Sequence, residues 1–253
     1  MTAANDIQVD YTGISRIYDN YRSYPDDLIN RIIKMGRISP GKNVLDLGCG
    51  TGNVSYQIKD KISVDLIGVD VSPEMLRVAR GKSLEVVCSN IDGRHLPFRD
   101  GSFDTIVGAY VIHQIKNLDL LLSECYRVLK KGVLLLLTSS HRQIENQHPI
   151  IKSFFPSYVN IDKSRFPDLD LIDSTLESLG FEEIKHGDVT VDNIPIDREY
   201  LQKVRNKYVS TYHLMQQSEF EDGVRQLEAY IKNSCKPESR DWHGTIISVR
   251  KNH

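Results

Sequence analysis

A buried strand followed by a glycine-rich turn constrains the fold of this chain more than any other stretch. Residues 44–53 read VLDLGCGTGN, an apolar segment that runs into glycines at positions 48, 50 and 52. The apolar residues favour a buried strand, and the glycines allow a sharp bend and a close approach by a ligand. Asn53 is suited to cap a following helix. This order of elements predicts an α/β domain with a nucleotide-type site.

The charge beside the glycines indicates which nucleotide is bound. Dinucleotide-binding turns have the spacing G-x-G-x-x-G and hold a pyrophosphate at the helix N-terminus. Here the spacing is G-x-G-x-G, and Asp46 stands two residues before Gly48. A fixed negative charge disfavours a pyrophosphate and favours a ligand that carries an ammonium and a sulfonium. S-adenosylmethionine carries both.

Residues 46–52 resemble the first motif of the class I S-adenosylmethionine-dependent methyltransferases, D-x-G-x-G-x-G, at every fixed position. The resemblance implies a Rossmann-like, doubly wound, seven-stranded and mostly parallel α/β sheet with helices on both faces, helical lid insertions and an antiparallel last strand. It also implies S-adenosylmethionine as cofactor and S-adenosylhomocysteine as product. In this loop the implied cofactor-binding residues are Asp46, Gly48, Cys49 and Gly50.

A second acidic residue stands at the end of the next predicted strand. Asp70 follows the apolar segment 64–69. An acid at this position accepts hydrogen bonds from the ribose diol in α/β nucleotide sites, although helix capping alone would also explain it. Residues 68–76, GVDVSPEML, are similar to the family's second motif. Val71 and Met75 are candidates to pack against the adenine, and Met75 suits the core equally well.

The segment after the third predicted strand carries candidate adenine ligands. Residues 90–98, NIDGRHLPF, resemble the family's D-A-x-x-L-P-F segment. The resemblance implies that Asp92 accepts a hydrogen bond from the adenine amine and that the backbone N–H of Gly93 donates to the ring. Asn90 and Ile91 would lie beside them. The alternative for Asp92 is an Asx-turn.

A tyrosine-rich segment precedes the first strand, between two helical stretches. Residues 18–25 read YDNYRSYP and resemble the Y-D-x-x-R-x-x-Y-P segment of many small-molecule methyltransferases. An arginine is a natural partner for the methionine carboxylate, so we expect Arg22 to bind it. Tyr18 and Tyr21 are expected over the cofactor, although surface packing would also account for such tyrosines.

Candidates for the acceptor side follow the fourth predicted strand. Residues 103–113 fit the family's F-D…H pattern, and residues at the carboxyl end of a parallel strand face the ligand crevice. We therefore expect Ala109 beside the cofactor, and Tyr110 and His113 beside the transferred methyl group. His113 can act as a general base or hold the structure locally, and we favour the structural role because methyl transfer does not always need a base. His141 is a third, weaker candidate for the acceptor side.

The second half of the chain carries one further resemblance. Residues 124–132, ECYRVLKKG, are similar to the family's E-x-x-R-V-L-K-P-G motif. Gly132 is expected to end a helix over 118–129, and the unbroken apolar run 133–137 predicts a central strand. A closing strand over 245–251 is expected at a sheet edge.

We expect a single class I methyltransferase domain over residues 1–253. Residues 1–37 would form helices over the cofactor site, and residues 38–138 would form the cofactor-binding half. Residues 139–168 and 191–241 are too long for ordinary loops and carry many aromatic residues. We therefore predict that these two segments are cap or lid insertions that enclose a substrate and exclude water.

Charge, cysteine content and hydropathy limit the kinds of binding partner and the compartment that the sequence favours. The 32 basic and 34 acidic residues are interspersed and give a net charge of -2, which disfavours nucleic acid as a partner. The four cysteines lack metal-type spacing and suit reduced thiols in the cytoplasm. The sequence has neither an N-terminal signal pattern nor an apolar run long enough to span a bilayer, so no membrane partner is expected. A monomer or homodimer is expected.

These features together predict the reaction. A methyl group would pass from the sulfonium to an O, N or C atom of a small-molecule metabolite by in-line displacement. Two alternatives remain: an NAD-dependent oxidoreductase on the same fold, and a non-catalytic S-adenosylmethionine-binding module. The glycine spacing and Asp46 disfavour the oxidoreductase, and the intact motifs disfavour the module.

Overall fold

A seven-stranded sheet organises the computed structural model, which describes residues 15, 18–21, 24–89, 95–234, 236 and 238–253. The strand order is β3-β2-β1-β4-β5-β7-β6. The strands are β1 Asn43–Leu47, β2 Asp65–Asp70, β3 Glu85–Cys88, β4 Phe103–Ala109, β5 Leu129–Thr138, β6 Glu182–Pro195 and β7 Ser239–Lys251. Strands β1 to β5 pair in parallel, and β7 is antiparallel to both β5 and β6. The predicted Rossmann-like, mostly parallel sheet with an antiparallel last strand is confirmed.

Helices cover both faces of this sheet. In chain order they are α1 Tyr18–Tyr21, α2 Asp26–Met35, α3 Asn53–Lys61, α4 Pro73–Gly81, α5 Leu118–Val128, α6 His141–Glu145, α7 Pro149–Phe154, α8 Tyr158–Arg165, α9 Leu169–Ser178, α10 Arg198–Arg205, α11 Ser210–Leu214 and α12 Gln217–Asn233. Apolar residues of α5 and α9 pack in one core cluster, and those of α2 and α3 pack in another. Within the described part of the chain, no helix is both long and apolar enough to cross a membrane.

The central strands are buried on both faces, as their unbroken apolar runs predict. Along β1, Leu45 and Leu47 belong to the core cluster on one face, while Val44 belongs to the cluster on the other. This alternation follows from the two-residue repeat of a strand. It leaves the carboxyl end of β1 fixed between two packed layers, and the glycine loop, residues 48–52, begins there.

The predicted cap of α3 is wrong by one residue. Gly52 occupies the N-cap position with φ of 76°, and Asn53 is the first helical residue. The positive φ favours glycine at this position, and a Cβ there would lie 2.2 Å from Leu84 Cδ1, so the Leu84 side chain would have to move. The Asn53 side chain accepts a hydrogen bond from Lys82 Nζ at 2.7 Å instead.

Two predictions about the second half of the sheet are also wrong. Gly132 does not end a helix, because α5 ends at Val128 and Gly132 pairs with Lys251 inside the sheet. A Cβ on Gly132 would lie 2.2 Å from the Asp104 carbonyl oxygen, so the glycine is needed for close strand packing. The closing strand β7 does not lie at the edge: it lies between β5 and β6, where its Ile246 and Ile247 are fully buried.

The segments 139–168 and 191–241 bring their helices together beside the sheet. Helices α6 to α8 and α10 to α12 are here called the cap helices. All of them except α6, which contacts α8, contribute to one apolar cluster. Its aromatic members are Phe155, Tyr158, Tyr200, Tyr212 and Phe220. Helices α10 and α11 are separate elements, and Lys207 between them has a left-handed φ of 47°.

Candidate functional site

The glycine loop lies at the carboxyl end of β1 with an unusual backbone. Gly48, Gly50 and Gly52 have φ angles of 68°, 54° and 76°, a region that favours glycine. The backbone N–H groups of Gly48 and Cys49 donate to the Val69 carbonyl oxygen at 2.8 and 3.0 Å, which ties the loop to β2. A Cβ on Gly50 would meet no heavy atom of the described residues within 4 Å. This face of the loop is therefore open to a ligand.

Asp46 lies beneath the glycine loop. Its side chain is only 2% exposed, and it accepts a hydrogen bond from the Ser55 hydroxyl at 2.5 Å. Burial raises the pKa of the Asp46 carboxyl to about 6, the Ser55 hydrogen bond opposes this rise, and the charge of Asp70 adds to it. A cation in the loop would favour the ionised form of Asp46, so this residue acts through its charge.

Asp70 joins the glycine loop to the start of α4. One carboxylate oxygen accepts from the Gly50 N–H at 2.9 Å, and the other accepts from the Ser72 N–H at 2.9 Å. Burial raises the pKa of the Asp70 carboxyl, and these two hydrogen bonds oppose the rise. Each oxygen keeps a second lone pair, so the carboxylate can still accept two hydroxyl protons. The two acids supply hydrogen-bond acceptors and negative charge, which fit a ribose diol beside a cationic group.

An ion pair that the sequence reasoning missed holds α1 against the loop. Asp19 accepts from the Thr51 hydroxyl at 2.5 Å and pairs with Lys82 Nζ at 2.6 Å. The neighbouring Tyr18 is half-buried. The sequence feature that could have indicated this ion pair is the aspartate of the Y-D-x-x-R segment, Asp19. Arg22 and the side chain of Tyr21 lie outside the described residues.

The predicted adenine side is described in part. Val71 is 38% exposed at the tip of β2, where a ligand can reach it. Met75 is buried in the first turn of α4, where its N–H donates to the Ser72 hydroxyl at 3.3 Å. Cys49 is also buried, and burial raises the pKa of its thiol far above the usual range. Four further predicted ligands lie outside the described residues: Asn90, Ile91, Asp92 and Gly93.

The E-x-x-R motif anchors the chain just after those four residues. Glu124 accepts from the Leu96 N–H at 2.7 Å. Arg127 donates to the carbonyl oxygens of Leu96 at 3.1 Å and Phe98 at 2.9 Å, and it also pairs with Glu124 at 2.7 Å. The hydrogen bond from Arg127 lowers the pKa of Glu124, so this pair stays ionised. The motif therefore fixes the backbone of residues 96–98, which lie shortly after the predicted adenine-binding residues.

A cavity of about 300 Å³ lies between the sheet and the cap helices. Tyr110 and His113 line it from the end of β4, next to the half-buried Ala109. His113 is 8% exposed and stacks on Phe166, with ring centroids 4.1 Å apart and planes 6° apart. The ring of Trp242 lies 5.6 Å from that of Tyr110. The cavity wall at this end is thus largely aromatic.

Tyr110 has a backbone conformation that tyrosine rarely adopts. Its φ is 54°, and such strained residues occur often at functional sites. Its hydroxyl lies 3.4 Å from the Ser139 hydroxyl. His141, the third predicted acceptor-side residue, does not line the cavity, since its Nε2 is 2.8 Å from the Phe166 carbonyl oxygen and its Nδ1 is 3.3 Å from Asp168. The structure brings Tyr110 and His113 together and leaves His141 outside.

Known proteins share both the sequence pattern and the fold. Residues 45–137 match the family described as a methyltransferase domain. A ubiquinone/menaquinone biosynthesis C-methyltransferase, UbiE, from Geotalea daltonii is 29% identical over 206 residues, which cover 65% of this chain and 86% of the relative.

Solved structures give the same result for the fold. A putative methyltransferase from an antibiotic biosynthesis pathway of Anabaena variabilis matches with a TM-score of 0.71 at 20% identity, covering 89% of this chain and 98% of that one. Phosphoethanolamine N-methyltransferase 2 of Haemonchus contortus, in complex with S-adenosylmethionine, matches with a TM-score of 0.57 at 19% identity, covering 94% of this chain and 60% of that one. With the glycine loop and its two acids, these matches lead to one conclusion: residues 45–137 form a methyltransferase domain, and the chain has the fold of S-adenosylmethionine-dependent methyltransferases.

Proposed function

We propose that the cavity holds the methyl acceptor and that the glycine loop holds the methyl donor. The observation that carries the proposal is the position of Tyr110. It directly follows β4, which pairs in parallel with β1, so the carboxyl ends of both strands meet at one edge of the sheet. The glycine loop begins at one of these ends, and the cavity begins at the other. Donor and acceptor would therefore meet beside Ala109 and Tyr110.

The residues on the donor side would bind the methyl donor and orient it. Asp46 and Asp70 supply negative charge to a cationic ligand, and Asp70 is placed to accept from a ribose diol. The open face of the glycine loop at Gly50 would allow close contact, and Arg22 would bind the methionine carboxylate. When bound, S-adenosylmethionine supplies a methyl group made electrophilic by the positive sulfur.

The residues on the acceptor side would align the acceptor atom with the methyl group and shield it from water. Tyr110, Trp242 and Phe166 form an aromatic wall that excludes water and holds the acceptor atom in line with the bond that breaks. His113 stacks on Phe166, so we assign it a positioning role in this wall and not the role of general base. The acceptor would be a small metabolite, because a volume of about 300 Å³ is at the small end of ligand pockets.

A transfer assay tests this proposal. With S-adenosylmethionine labelled at the methyl group and a panel of small phenols, amines and acids, we expect label in at least one acceptor. We expect Asp70→Asn to reduce the rate at limiting donor concentration by about tenfold, because the variant binds the donor more weakly. Asp222→Asn, in an exposed ion pair on α12, is the matched control and should leave the rate unchanged. Donor binding without transfer to any acceptor would contradict catalysis and favour a binding module.

We also propose a cytoplasmic location and a monomeric or homodimeric state. The support is chemical: the described cysteines Cys49, Cys88 and Cys125 are free thiols, which persist in a reducing compartment. Cell fractionation and light scattering on the purified chain test the two statements separately.

A further inference from the structure

A buried arginine lies in the cavity wall, two residues before Trp242 on β7. Arg240 is on β7 and is 5% exposed, and its side chain lines the cavity. Its Nη1 donates to the Tyr200 hydroxyl at 3.0 Å, while its buried Nε has no hydrogen-bond partner among the described residues. No carboxylate of the described residues lies within ion-pairing distance of it. Most of the five donors of this guanidinium are thus unused in the part of the chain that the structure describes.

The other charges around the cavity are already compensated. Asp162 lies 3.7 Å from Arg165 and accepts from the Thr211 hydroxyl at 2.7 Å. Lys203 pairs with Glu199 at 2.9 Å. Arg240 therefore stands out as a charge taken out of water without a counter-ion, an arrangement that costs stability unless a ligand supplies the opposite charge.

Three tyrosines lie near this arginine, and the hydroxyl of Tyr200 accepts its hydrogen bond. Tyr158, Tyr200 and Tyr208 line the same cavity. Burial raises the pKa values of Tyr158 and Tyr200 far above the ordinary value for tyrosine, so their hydroxyls keep their protons. Protonated phenols donate hydrogen bonds, as a guanidinium does. This end of the cavity offers donors and positive charge, which is the chemistry of an anion site.

The strand geometry separates the anion site from the reacting end. Residues two apart on a strand share a face, so Arg240 and Trp242 lie on the same face of β7, about 7 Å apart along the strand. Trp242 is the residue that packs beside Tyr110. A ligand that reaches both ends would have its anionic group several bonds away from the atom placed at Tyr110.

We propose that Arg240 and the hydroxyls of Tyr158 and Tyr200 bind an anionic group of the methyl acceptor, a carboxylate or a phosphate. The acceptor is then a small aromatic or apolar molecule that carries a negative charge at one end and receives the methyl group at the other. This inference rests on the proposed function of the cavity, but it can be tested by binding alone.

Calorimetry on the complex with S-adenosylhomocysteine supplies the test. The probes are phenylacetate, phenyl phosphate and the uncharged phenylacetamide. We expect at least one anion to bind at least tenfold more tightly than the amide. Tighter binding of phenyl phosphate identifies the anionic group as a phosphate, tighter binding of phenylacetate identifies it as a carboxylate, and similar binding of both supports the shared chemistry. Anions that bind no better than the amide would overturn the inference.

Variants separate ligand binding from a structural role. Arg240→Met should weaken anion binding by at least tenfold, leave the affinity for S-adenosylhomocysteine unchanged, and keep or raise the melting temperature, because it removes an uncompensated buried charge. Arg240→Gln, which can still bond to Tyr200, should give the same loss. Arg250→Met, at the other end of β7 in an exposed pair with Glu183, is the matched control and should bind the probes normally.

Two contrary results remain distinct. Wild-type anion binding in the Arg240 variants, or unfolding of both of them, would show that Arg240 is structural and would overturn the anion site. Failure of the wild-type protein to bind S-adenosylhomocysteine would instead contradict the proposed function itself.

Discussion

Asp46 places a buried negative charge beneath the glycine loop, and we propose that this charge selects the ligand. Its carboxyl is held under the glycine loop by Ser55, and its pKa of about 6 means that it is mostly ionised at neutral pH. A cationic ligand above it gains from that charge, while a pyrophosphate would be repelled. The sequence predicted the charge, whereas the hydrogen bond and the depth of burial depend on how β1 and α3 pack.

The raised pKa of Asp46 leads to a pH dependence of cofactor binding. A positively charged ligand favours the carboxylate, so binding should release a proton near pH 6 and weaken below it. We expect the affinity for S-adenosylmethionine to fall by about tenfold between pH 7 and pH 5. Calorimetry at both pH values measures this, and Asp46→Asn should flatten the change.

The same shift has the opposite consequence for the stability of the free protein. The folded state keeps a proton on Asp46 that the unfolded chain loses above its ordinary pKa of 3.8. The contribution of Asp46 to the free energy of unfolding is therefore greatest below about pH 4 and is lost as the pH rises through about 6. For cofactor binding, an affinity for S-adenosylmethionine that stays constant between pH 7 and pH 5 would contradict the role of Asp46.

Asp70 should account for a measurable part of cofactor affinity. In Asp70→Asn one oxygen must replace the two that now hold Gly50 and Ser72, so one acceptor for the ribose diol is lost. We expect the dissociation constant for S-adenosylhomocysteine to rise by about tenfold, or about 1.4 kcal/mol. Asp65→Asn, at the exposed start of the same strand, is the control. Equal affinities for the two variants would remove Asp70 from the site.

At the scale of elements, local sequence patterns predicted the strands. They did not predict the strand bounds or the steric constraints that come from packing against neighbouring strands. The run 133–137 was enough to predict a central strand, but not that β5 begins at Leu129, directly after α5. Gly132 resembled a helix terminator because glycine is common there. The requirement is instead steric and comes from the Asp104 carbonyl oxygen of the neighbouring strand, which is distant in sequence.

Gly132→Ala tests this steric requirement. The new Cβ would lie 2.2 Å from the Asp104 carbonyl oxygen, so β4 and β5 must move apart. We expect a loss of about 1–3 kcal/mol in the free energy of unfolding, measured by chemical denaturation. In Gly81→Ala, at the end of α4, the Cβ would meet no heavy atom of the described residues within 4 Å, so that control should be neutral or slightly stabilising. An equal effect in both variants would contradict the steric explanation.

At the scale of the whole molecule, the two halves of the site differ in how far sequence can predict them. The donor side is local, because Asp46, the glycines and Asp70 lie at the ends of adjacent strands with a recognisable spacing. The acceptor side combines Tyr110 from β4, Tyr200 from the cap helices and Arg240 from β7. No sequence spacing predicts such a set of residues, because only long-range packing brings them together.

The order of β7 in the sheet explains why Arg240 and Trp242 were not predicted at the cavity. A closing strand was expected at the edge, where its residues would face solvent. Because β7 lies between β5 and β6, Arg240 and Trp242 are carried over the cavity instead. The cap helices then cover both residues, so the identity of the acceptor depends on elements that are far apart in sequence.

The central claim is that an acidic, glycine-lined loop binds a cationic adenosyl ligand and rejects a phosphorylated one. Isothermal titration of the purified protein with S-adenosylmethionine and, separately, with NAD⁺ tests it most directly. We predict saturable binding of S-adenosylmethionine at one site per chain and no detectable heat from NAD⁺. Binding of NAD⁺ without binding of S-adenosylmethionine would contradict the account.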